Sequence, residues 1–431
     1  MLSWADGDVV RRDTRLRGLE TALDPEAFVH ALRAALPEAG IREASAGYVR
    51  YKPGTNCVVA YRLETNGAPL DAYIKVHANE DWIKLVKARE RASVPTIAGP
   101  GRVGLEDGNA VVVFFPNDDK LQSLHKLGQA ETRRKLLEKL FSGQPELWEG
   151  EMQKLRYKPE RRYVAVWRAG GRNVAVLKAY VGGGYEAARA SAQAFESRGP
   201  LRLARLLGRR TRHGVLAFEW LEGRLLSEII SAPDFHPSAV TTAGAALVEL
   251  HAQQPRNLVR LERKIEAARL RRLARWMGDL WPRLAHKTVN LARRIAEQLL
   301  ITPDVSAPAH GDFYAQQVLV ADGMAAILDL DRAACADPAR DLGTFIAHVE
   351  RDSLRGDFSP NRAAQVKEAL LEGYRHQAGN SLPRRISLHA AAGLLWLAPE
   401  PFRYRELDWP ERTEAIIERA EQILRGGALE D

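Results

Sequence analysis

The sequence predicts an α+β protein in which a β-rich N-terminal half precedes a mostly helical C-terminal half. Short alternating strands separated by turn residues recur from Gly47 onward, and the same order of elements returns after residue 151. Long helical stretches separated by Pro360, Pro383 and Pro401 fill the last part of the chain. At 431 residues the chain exceeds one typical core, so we expect two or three packing units.

Composition excludes several classes of protein. Hydrophobic residues make up 45% of the chain and charged residues 27%, as in a folded globular protein. The two cysteines, Cys57 and Cys335, are too few for a disulfide framework or a metal cluster, which indicates a reducing compartment. The start of the sequence lacks the apolar core of a signal peptide, and no apolar run is long enough to cross a membrane. We therefore expect a cytoplasmic protein with no membrane partner.

The net charge of +8 could indicate a nucleic-acid partner. The basic residues, however, are scattered among almost as many acids, and neither a basic tail nor a nucleic-acid-binding motif occurs. An arginine-rich solvated surface explains the charge. We therefore expect no nucleic-acid partner.

The first 150 residues are expected to form an arm and a β-rich module. The arm, residues 1–46, contains one helix that begins at Asp24-Pro25-Glu26. The module, residues 47–150, is predicted to form three strands, a helix from Asp81 to Arg91 and a further strand. Its element order is therefore β-β-β-α-β.

The same order of elements recurs in residues 151–230, with a helix expected to run through Phe195 and Glu196. The tetrapeptide RYKP occurs in both segments, starting at Arg50 and at Arg156, and each segment has a lysine late in its third strand. These lysines are Lys75 and Lys178. Two interpretations stay open: a duplicated module, or one module behind an unrelated β-rich cap.

The stretch from Pro308 to Phe345 concentrates the polar residues that can carry chemistry. Two apolar strands, Val318 to Ala321 and Met324 to Leu328, are joined by Asp322-Gly323, a dipeptide typical of two-residue hairpin turns. The hairpin brings the residues before its first strand close to those after its second. The residues that converge are His310, Asp312, Gln317, Asp329 and Asp331.

Several carboxylates in one small volume repel one another, and a buried unpaired charge costs several kcal/mol in effective terms. A magnesium ion resolves this conflict, because it binds one or two carboxylates and shares its remaining positions with substrate phosphates. The stretch therefore indicates a nucleotide held through a metal.

The loop also fits the H-x-D-x-x-x-x-N pattern of kinase catalytic loops, apart from a glutamine in the last position. In this loop the chain resembles the aminoglycoside phosphotransferase and choline kinase-like family. The resemblance continues through the run LDLDRAACADPARDLGTF, which contains Asp329, Arg332, Asp337 and Asp341. The resemblance implies a protein-kinase-like bilobal fold, with a small β-rich lobe and hinge at 151–230 and a helical large lobe at 231–431. Residues 47–150 would be an extra module, in one interpretation a second small lobe.

The resemblance also implies roles for the catalytic residues. Asp312 would accept the proton of the attacking hydroxyl, and His310 would orient the loop. Asp329 would hold magnesium together with Gln317, which stands where most of the family has asparagine and is similar to the glutamine of bacterial maltokinase-type sugar kinases. A regular cross-strand register would instead pair Gln316 with Asp329. Asp337 and Asp341 would brace the loop.

On the nucleotide side, the resemblance implies that Lys178 reaches the α- and β-phosphates with Glu196 as its ion-pair partner. The adenine edge would meet the hinge from Glu219 to Leu221, with Phe218 behind it. The turn KPERRY lacks the glycines of a phosphate loop, which leaves Arg161 as a candidate phosphate cation. Lys75 and Glu90 form a parallel pair in the first module, which we interpret as structural.

Together these features predict a kinase that uses ATP and Mg²⁺ to phosphorylate a small hydroxylated molecule. A sugar or amino sugar is the expected acceptor, because of the glutamine variant. An aminoglycoside or choline-like alcohol is the alternative within the same chemistry. A nucleotide-binding pseudokinase without transferase activity is the alternative outside it.

Overall fold

The computed structural model describes residues 2–105, 108–301 and 305–426, and the chain divides into two compact units. The first unit comprises Met1–Tyr185, Leu207–Phe218 and Pro401–Pro410. The second comprises Glu186–Leu206, Glu219–Glu400 and Glu411–Asp431. The β-rich first half and helical second half predicted from sequence are both present.

The helices, in chain order, are α1 (Trp4–Arg12), α2 (Leu19–Leu23), α3 (Pro25–Ala35), α4 (Trp82–Glu90), α5 (Leu124–Gly128), α6 (Ala130–Leu140), α7 (Gly183–Ala192), α8 (Leu226–Ser231), α9 (Ser238–His251), α10 (Arg263–Leu280), α11 (Ala285–Ile301), α12 (Ala339–Arg355), α13 (Pro360–Gln377), α14 (Ile386–Leu397), α15 (Glu400–Arg403) and α16 (Trp409–Gly426). The strands are β1 (Ile41–Lys52), β2 (Asn56–Thr65), β3 (Leu70–His77), β4 (Arg102–Leu105), β5 (Ala110–Phe114), β6 (Glu151–Lys158), β7 (Arg162–Ala169), β8 (Arg172–Tyr180), β9 (Leu201–Arg202), β10 (Leu206–Arg210), β11 (Val215–Glu219), β12 (Arg224–Leu225), β13 (Ala307–Ala309), β14 (Val318–Ala321), β15 (Met324–Ile327) and β16 (Ala334–Ala336).

Two five-stranded sheets with the same topology form the first unit. Their strand orders are β1-β2-β3-β5-β4 and β6-β7-β8-β11-β10. In both sheets the fifth strand in sequence lies between the third strand and the fourth. The helix pair before each sheet also matches: α2 and α5 have 5 residues each, and α3 and α6 have 11 each. This agreement favours a duplicated module over an unrelated cap.

The cross-strand register repeats as well. In the first sheet Arg50 pairs with Val58, and Val58 pairs with Lys75. In the second sheet Arg156 pairs with Val164, which pairs with Lys178. The two lysines singled out in the sequence therefore occupy the same position in their respective sheets.

The RYKP tetrapeptide owes its recurrence to a shared turn. In the first copy one oxygen of Asp13 accepts hydrogen bonds from the Tyr51 hydroxyl at 2.7 Å and from the Gly54 N–H at 2.8 Å. In the second, one oxygen of Asp118 accepts from the Tyr157 hydroxyl and the Glu160 N–H, both at 2.8 Å. In each copy this aspartate lies ahead of the helix pair. We propose these aspartates as the starts of the repeats, in place of boundaries at residues 47 and 151.

The core of the second sheet follows strand alternation. Tyr163, Ala165 and Trp167 of β7 are buried on one face, together with alternate residues of β8. Leucines of α6 pack against them, since α6 turns Leu136, Leu137 and Leu140 inward. The same cluster contains Leu124 and Leu127 of α5, which ties the helix pair to the sheet that follows it.

The second unit is built on closely packed helices. A Cβ added at Gly244 of α9 would lie 2.3 Å from the carbonyl oxygen of Leu370, and one at Gly373 of α13 would lie 2.1 Å from that of Thr241. These two helices therefore cross with their backbones in contact, which only glycine permits. In the part of the chain that the structure describes, no helix combines the length and the apolarity that a membrane crossing requires.

The predicted hairpin is confirmed. Strands β14 and β15 pair in register from Val318 with Ile327 to Ala321 with Met324. Asp322 and Gly323 both have positive φ, at 51° and 71°, as a type I′ turn requires. The short antiparallel pair β13 and β16 joins the segment before the hairpin to the segment after it. The polar residues of the two segments are thereby held on one side of the unit.

Replacement of Asp13 by alanine should lower the free energy of unfolding by about 2–3 kcal/mol, because a buried tyrosine hydroxyl and a turn N–H lose a charged acceptor. The matched control is Asp8→Ala, which removes an exposed carboxylate paired with Arg11 and Arg12 and should cost at most about 0.5 kcal/mol. Urea unfolding measures both. Equal effects of the two substitutions would contradict the role of the repeated turn.

Candidate active site

The loop that starts at His310 is fixed by one buried carboxylate. Asp341, near the start of α12, is fully buried and accepts hydrogen bonds from the backbone N–H of His310 at 2.6 Å and of Gly311 at 2.8 Å. Gly311 has φ of 80°, and a Cβ there would lie 2.3 Å from the carbonyl oxygen of Arg332. The glycine of the HGD sequence is therefore required both by the backbone conformation and by the close contact.

Asp341 is held ionised by its neighbours. Burial would raise the pKa of its carboxyl group, but the hydrogen bond with His251, His310 nearby and the backbone donors lower the pKa below its ordinary value. The Nε2 of His251 lies 3.0 Å from Asp341, and its Nδ1 lies 3.0 Å from the hydroxyl of Tyr374. A chain of three side chains thus supports the loop from α9 and α13.

The contacts of His310 determine its tautomer. The N–H of Asp312 donates to Nδ1 at 3.2 Å, so Nδ1 carries no proton, and Nε2 therefore donates to the carbonyl oxygen of Leu328 at 2.7 Å. The ring is fully buried and has both nitrogens occupied. These contacts suit the orienting role expected for His310, because they link the loop to the strand end after β15.

Asp312 follows directly in the loop and is accessible. Its side chain is 32% exposed, and one oxygen accepts a hydrogen bond from the guanidinium of Arg332 at 3.2 Å. A carboxylate held on a fixed loop backbone is what the proton acceptor predicted at this position requires.

Gln317 and Asp329 lie side by side across the end of the hairpin. The Leu328 N–H donates to the Gln317 carbonyl at 2.8 Å, so the ladder continues one pair beyond the strands. It stops at Asp329, which has φ of 63°, and there the side chain turns toward Gln317, with Nε2 and Oδ2 3.4 Å apart. The register argument for Gln316 fails because this left-handed residue ends the regular pairing. Gln316 instead lines a cavity.

The donors at this position fit a magnesium ion that is shared with a nucleotide. A half-turn of the Gln317 amide presents its oxygen beside the Asp329 carboxylate, and the two ends of an amide side chain are exchangeable in this way. Two protein oxygens suffice for a metal whose other ligands are phosphates and water. Within residues 2–105, 108–301 and 305–426 no cluster of three His, Cys, Asp or Glu side chains could hold a metal ion, so a closed protein cage is not formed there.

A cavity of about 270 Å³ lies beside the loop, within the second unit. Three carboxylates and one guanidinium are among its described lining residues, namely Glu228, Asp352, Asp357 and Arg355. His348 also lines it and stacks on Tyr314 of the loop with ring centroids 4.1 Å apart. Burial and nearby arginines hold the pKa of His348 well below its ordinary value, so the ring is neutral. Asp352 is paired with Arg351 and Asp357 with Arg355, so arginines already offset two of the three lining carboxylates.

The residues expected to bind nucleotide fall into two groups. Lys178, Phe218 and Arg161 belong to the first unit, where the Lys178 ammonium lies 5.2 Å from the centre of the Phe218 ring. Arg161 is exposed at the turn between β6 and β7. Glu196, Glu219 and Leu221 belong to the second unit.

Two details differ from the sequence predictions. Helix α7 ends at Ala192, so the expected helix through Glu196 is shorter than predicted, and Glu196 pairs instead with Arg198 at 3.5 Å. Lys75 pairs with Glu160 and, at 3.9 Å, with Asp119, so the expected pair with Glu90 was wrong. Both predictions assumed a regular kinase helix after the third strand.

In the hinge, Glu219 forms a bidentate pair with Arg205 at 2.9 and 3.0 Å, which lowers the pKa of the Glu219 carboxyl group.

Sequence reasoning missed several residues of this site. The contact between His251 and Asp341 spans 90 residues of the sequence. Tyr374 and His348 likewise come from distant helices. The sequence carries no local signal for these contacts, because they depend on how α9, α12 and α13 pack.

The model of the phosphotransferase enzyme family (APH) matches residues 161–386, which is more than half of the chain. The chain is similar to a choline kinase from Cryptosporidium parvum Iowa II, with 11% identity, a TM-score of 0.50 and coverage of 69% of this chain and 96% of that one. A choline/ethanolamine kinase family protein from Mesorhizobium loti gives 19% identity, a TM-score of 0.48 and coverage of 68% and 94%. A comparison with curated proteins gives no match. The predicted α+β, protein-kinase-like fold with an extra β-rich N-terminal module is confirmed.

Replacement of Asp341 by asparagine should lower the free energy of unfolding at pH 7 by about 3 kcal/mol, because the amide cannot accept from two backbone donors and His251 together. The folded pKa of Asp341 is lowered, so its stabilisation is complete above the unfolded value of about 3.9 and is lost as pH falls through the folded value. The difference between wild type and variant should therefore shrink below about pH 4.

Urea unfolding from pH 3 to pH 7 measures this difference. Asp322→Asn is the matched control, because it makes the same change at an exposed turn position that also favours asparagine. A difference between wild type and Asp341→Asn that is independent of pH would contradict the ionised state of the buried carboxylate.

Proposed function

This chain belongs to the phosphotransferase enzyme family and is a small-molecule kinase, and we propose that it transfers the γ-phosphoryl group of ATP to a hydroxyl group of a sugar or amino sugar. The observation that carries the proposal is the loop in which Asp312 is accessible while Asp341 and His310 hold the backbone N–H groups from His310 to Asp312. Gln317 and Asp329 supply oxygen donors at the end of the same hairpin.

The proposed reaction needs one proton acceptor. The hydroxyl oxygen of the substrate forms a bond to the γ-phosphorus. The bond from that phosphorus to the oxygen it shares with the β-phosphate breaks, and ADP leaves. Asp312 takes the proton of the attacking hydroxyl, and Arg332 keeps this carboxylate oriented through its hydrogen bond. Magnesium, when bound at Asp329 and Gln317, would neutralise charge on the phosphates.

The residues predicted from sequence to contact the nucleotide are proposed for the same roles here. Lys178 is the candidate cation for the α- and β-phosphates, and the Phe218 ring beneath its ammonium group limits where that group can point. The backbone from Glu219 to Leu221 is proposed to meet the adenine edge. Arg161 and Glu196 have less support, because Arg161 is exposed at a turn and Glu196 is paired with Arg198.

A carboxylate of the cavity favours an acceptor that carries an amino group. Glu228 is the lining carboxylate proposed to meet the amino group, because Asp352 is paired with Arg351 and Asp357 with Arg355. The stacked rings of Tyr314 and His348 offer a flat surface for the apolar face of a sugar ring. An amino sugar satisfies both features. An aminoglycoside is the second candidate, because it brings several ammonium groups to the same acids. A choline-like alcohol is the third, because its quaternary ammonium suits both a carboxylate and an aromatic ring face.

The direct test is ATP turnover in the presence of magnesium across a panel of sugars, amino sugars, aminoglycosides and choline. Phosphorylated products are identified by mass spectrometry. Asp312→Asn should reduce kcat by about 10²–10⁴-fold with little change in KM, because the amide cannot take the proton. A wild-type protein that binds ATP but phosphorylates nothing in the panel would favour the pseudokinase. Equal turnover by wild type and Asp312→Asn would overturn the role of Asp312.

Recognition of the acceptor's amino group can be tested separately with Glu228→Gln, a substitution at an exposed residue of the cavity. KM for an amino sugar should rise by about tenfold, equivalent to about 1.4 kcal/mol, while KM for the corresponding neutral sugar should not change. Glu372→Gln is the control, since Glu372 is exposed on α13 and is absent from the cavity lining. A parallel change in KM for both sugars would show that Glu228 does not read the amino group.

A further inference from the structure

The turn between β6 and β7 contains a residue in an unfavourable conformation. Glu160 has φ of 57°, and the corresponding residue of the first repeat, Gly54, has φ of 61°. Glycine adopts this left-handed conformation without cost, whereas a residue with a side chain pays for it. The second repeat therefore keeps a glutamate where glycine suits the backbone better, which points to a role for its side chain.

The carboxylate of Glu160 is bound by three cations of the chain itself. Its side chain is 1% exposed and forms ion pairs with Lys75, with Arg50 at 2.5 Å and with Lys120 at 3.6 Å. Burial alone would raise the pKa of Glu160, but Lys75, Arg50 and Lys120 lower the pKa below its ordinary value. The group is therefore a buried carboxylate that stays ionised.

The cations that bind Glu160 include the counterpart of the proposed nucleotide lysine. Lys75 occupies in the first sheet the position that Lys178 occupies in the second, in the row formed with Arg50 and Val58. The first repeat thus has an anion site equivalent in position to the phosphate site proposed for the second. A carboxylate of the second repeat fills it.

This contact fixes the turn of the second repeat to the first sheet. Arg50 also donates to the carbonyl oxygen of Pro159 at 3.2 Å, and Asp118 accepts from the Glu160 N–H. Pro159 and Glu160 are both buried. In a kinase-like fold, the turn between the first two strands covers the nucleotide phosphates. Here this turn contains no glycines, and the first repeat holds it in place instead.

We propose that Glu160 is a positioning residue for the nucleotide, and that its carboxylate acts as an internal ligand of the first repeat's anion site. The first repeat then serves as a support that sets the position of the β6–β7 turn relative to Lys178 within the same unit. This inference rests on the proposed kinase function. It assigns a purpose to the N-terminal repeat, whose lysine does not face a nucleotide.

Glu160→Gly is the most informative variant, because glycine keeps the turn conformation seen at Gly54 while it removes the carboxylate. KM for ATP should rise by about tenfold with kcat changed less than about twofold, since the turn is misplaced but Asp312 is untouched. Formate or acetate should restore KM by occupying the anion site between Lys75 and Arg50. Amide hydrogen exchange at residues 158–162 should accelerate in the variant and slow again with formate.

The control is Asp6→Asn, which disrupts a buried bidentate ion pair with Arg405 at 2.8 and 2.9 Å in the same unit. It should lower stability without changing KM for ATP and without rescue by formate. An unchanged KM in Glu160→Gly, or faster exchange that formate does not reverse, would overturn the positioning role. Calorimetric titration of the wild type with ATP separates the two proposals, because absence of ATP binding there would instead overturn the proposed function.

Discussion

The constraint on which the site depends is the charge of one fully buried side chain, Asp341. Its carboxylate has no access to water and must be satisfied by the chain, and it is satisfied by two N–H groups of the loop and by His251. Because a buried charge that loses a partner costs several kcal/mol, these contacts hold the loop backbone at His310 and Gly311. The position of Asp312 depends on this contact, and the hydrogen bond from His310 to Leu328 links the loop to the strand end beside Asp329.

A second aspartate, repeated, organises the β-rich unit. Asp13 and Asp118 each collect a tyrosine hydroxyl and a turn N–H, so the two sheets begin with the same turn held in the same way. The two repeats differ in the residue at the end of this turn. In the first, Gly54 has no side chain to extend from the turn, whereas in the second, Glu160 inserts its carboxylate among the cations of the first sheet. A duplicated element has thus become a structural partner of its copy.

Much of this could be predicted from sequence because the signals are local. The Asp322-Gly323 turn and the flanking apolar residues determine the hairpin and its register, and the RYKP repeat marks the two sheets. What could not be predicted depends on distant contacts or on a single dihedral angle. The left-handed Asp329 ends the ladder and decides between Gln316 and Gln317, and the end of α7 at Ala192 leaves Glu196 outside a helix. Neither is encoded by periodicity.

The measurement that tests the account most directly is a crystal structure of the protein with a non-hydrolysable ATP analogue and Mn²⁺ in place of magnesium, with the metal located by its anomalous scattering. The account predicts an anomalous peak in contact with the carboxylate of Asp329 and the side-chain oxygen of Gln317, bridged to the analogue's phosphates. A bound analogue whose metal lies away from Asp329 would contradict it.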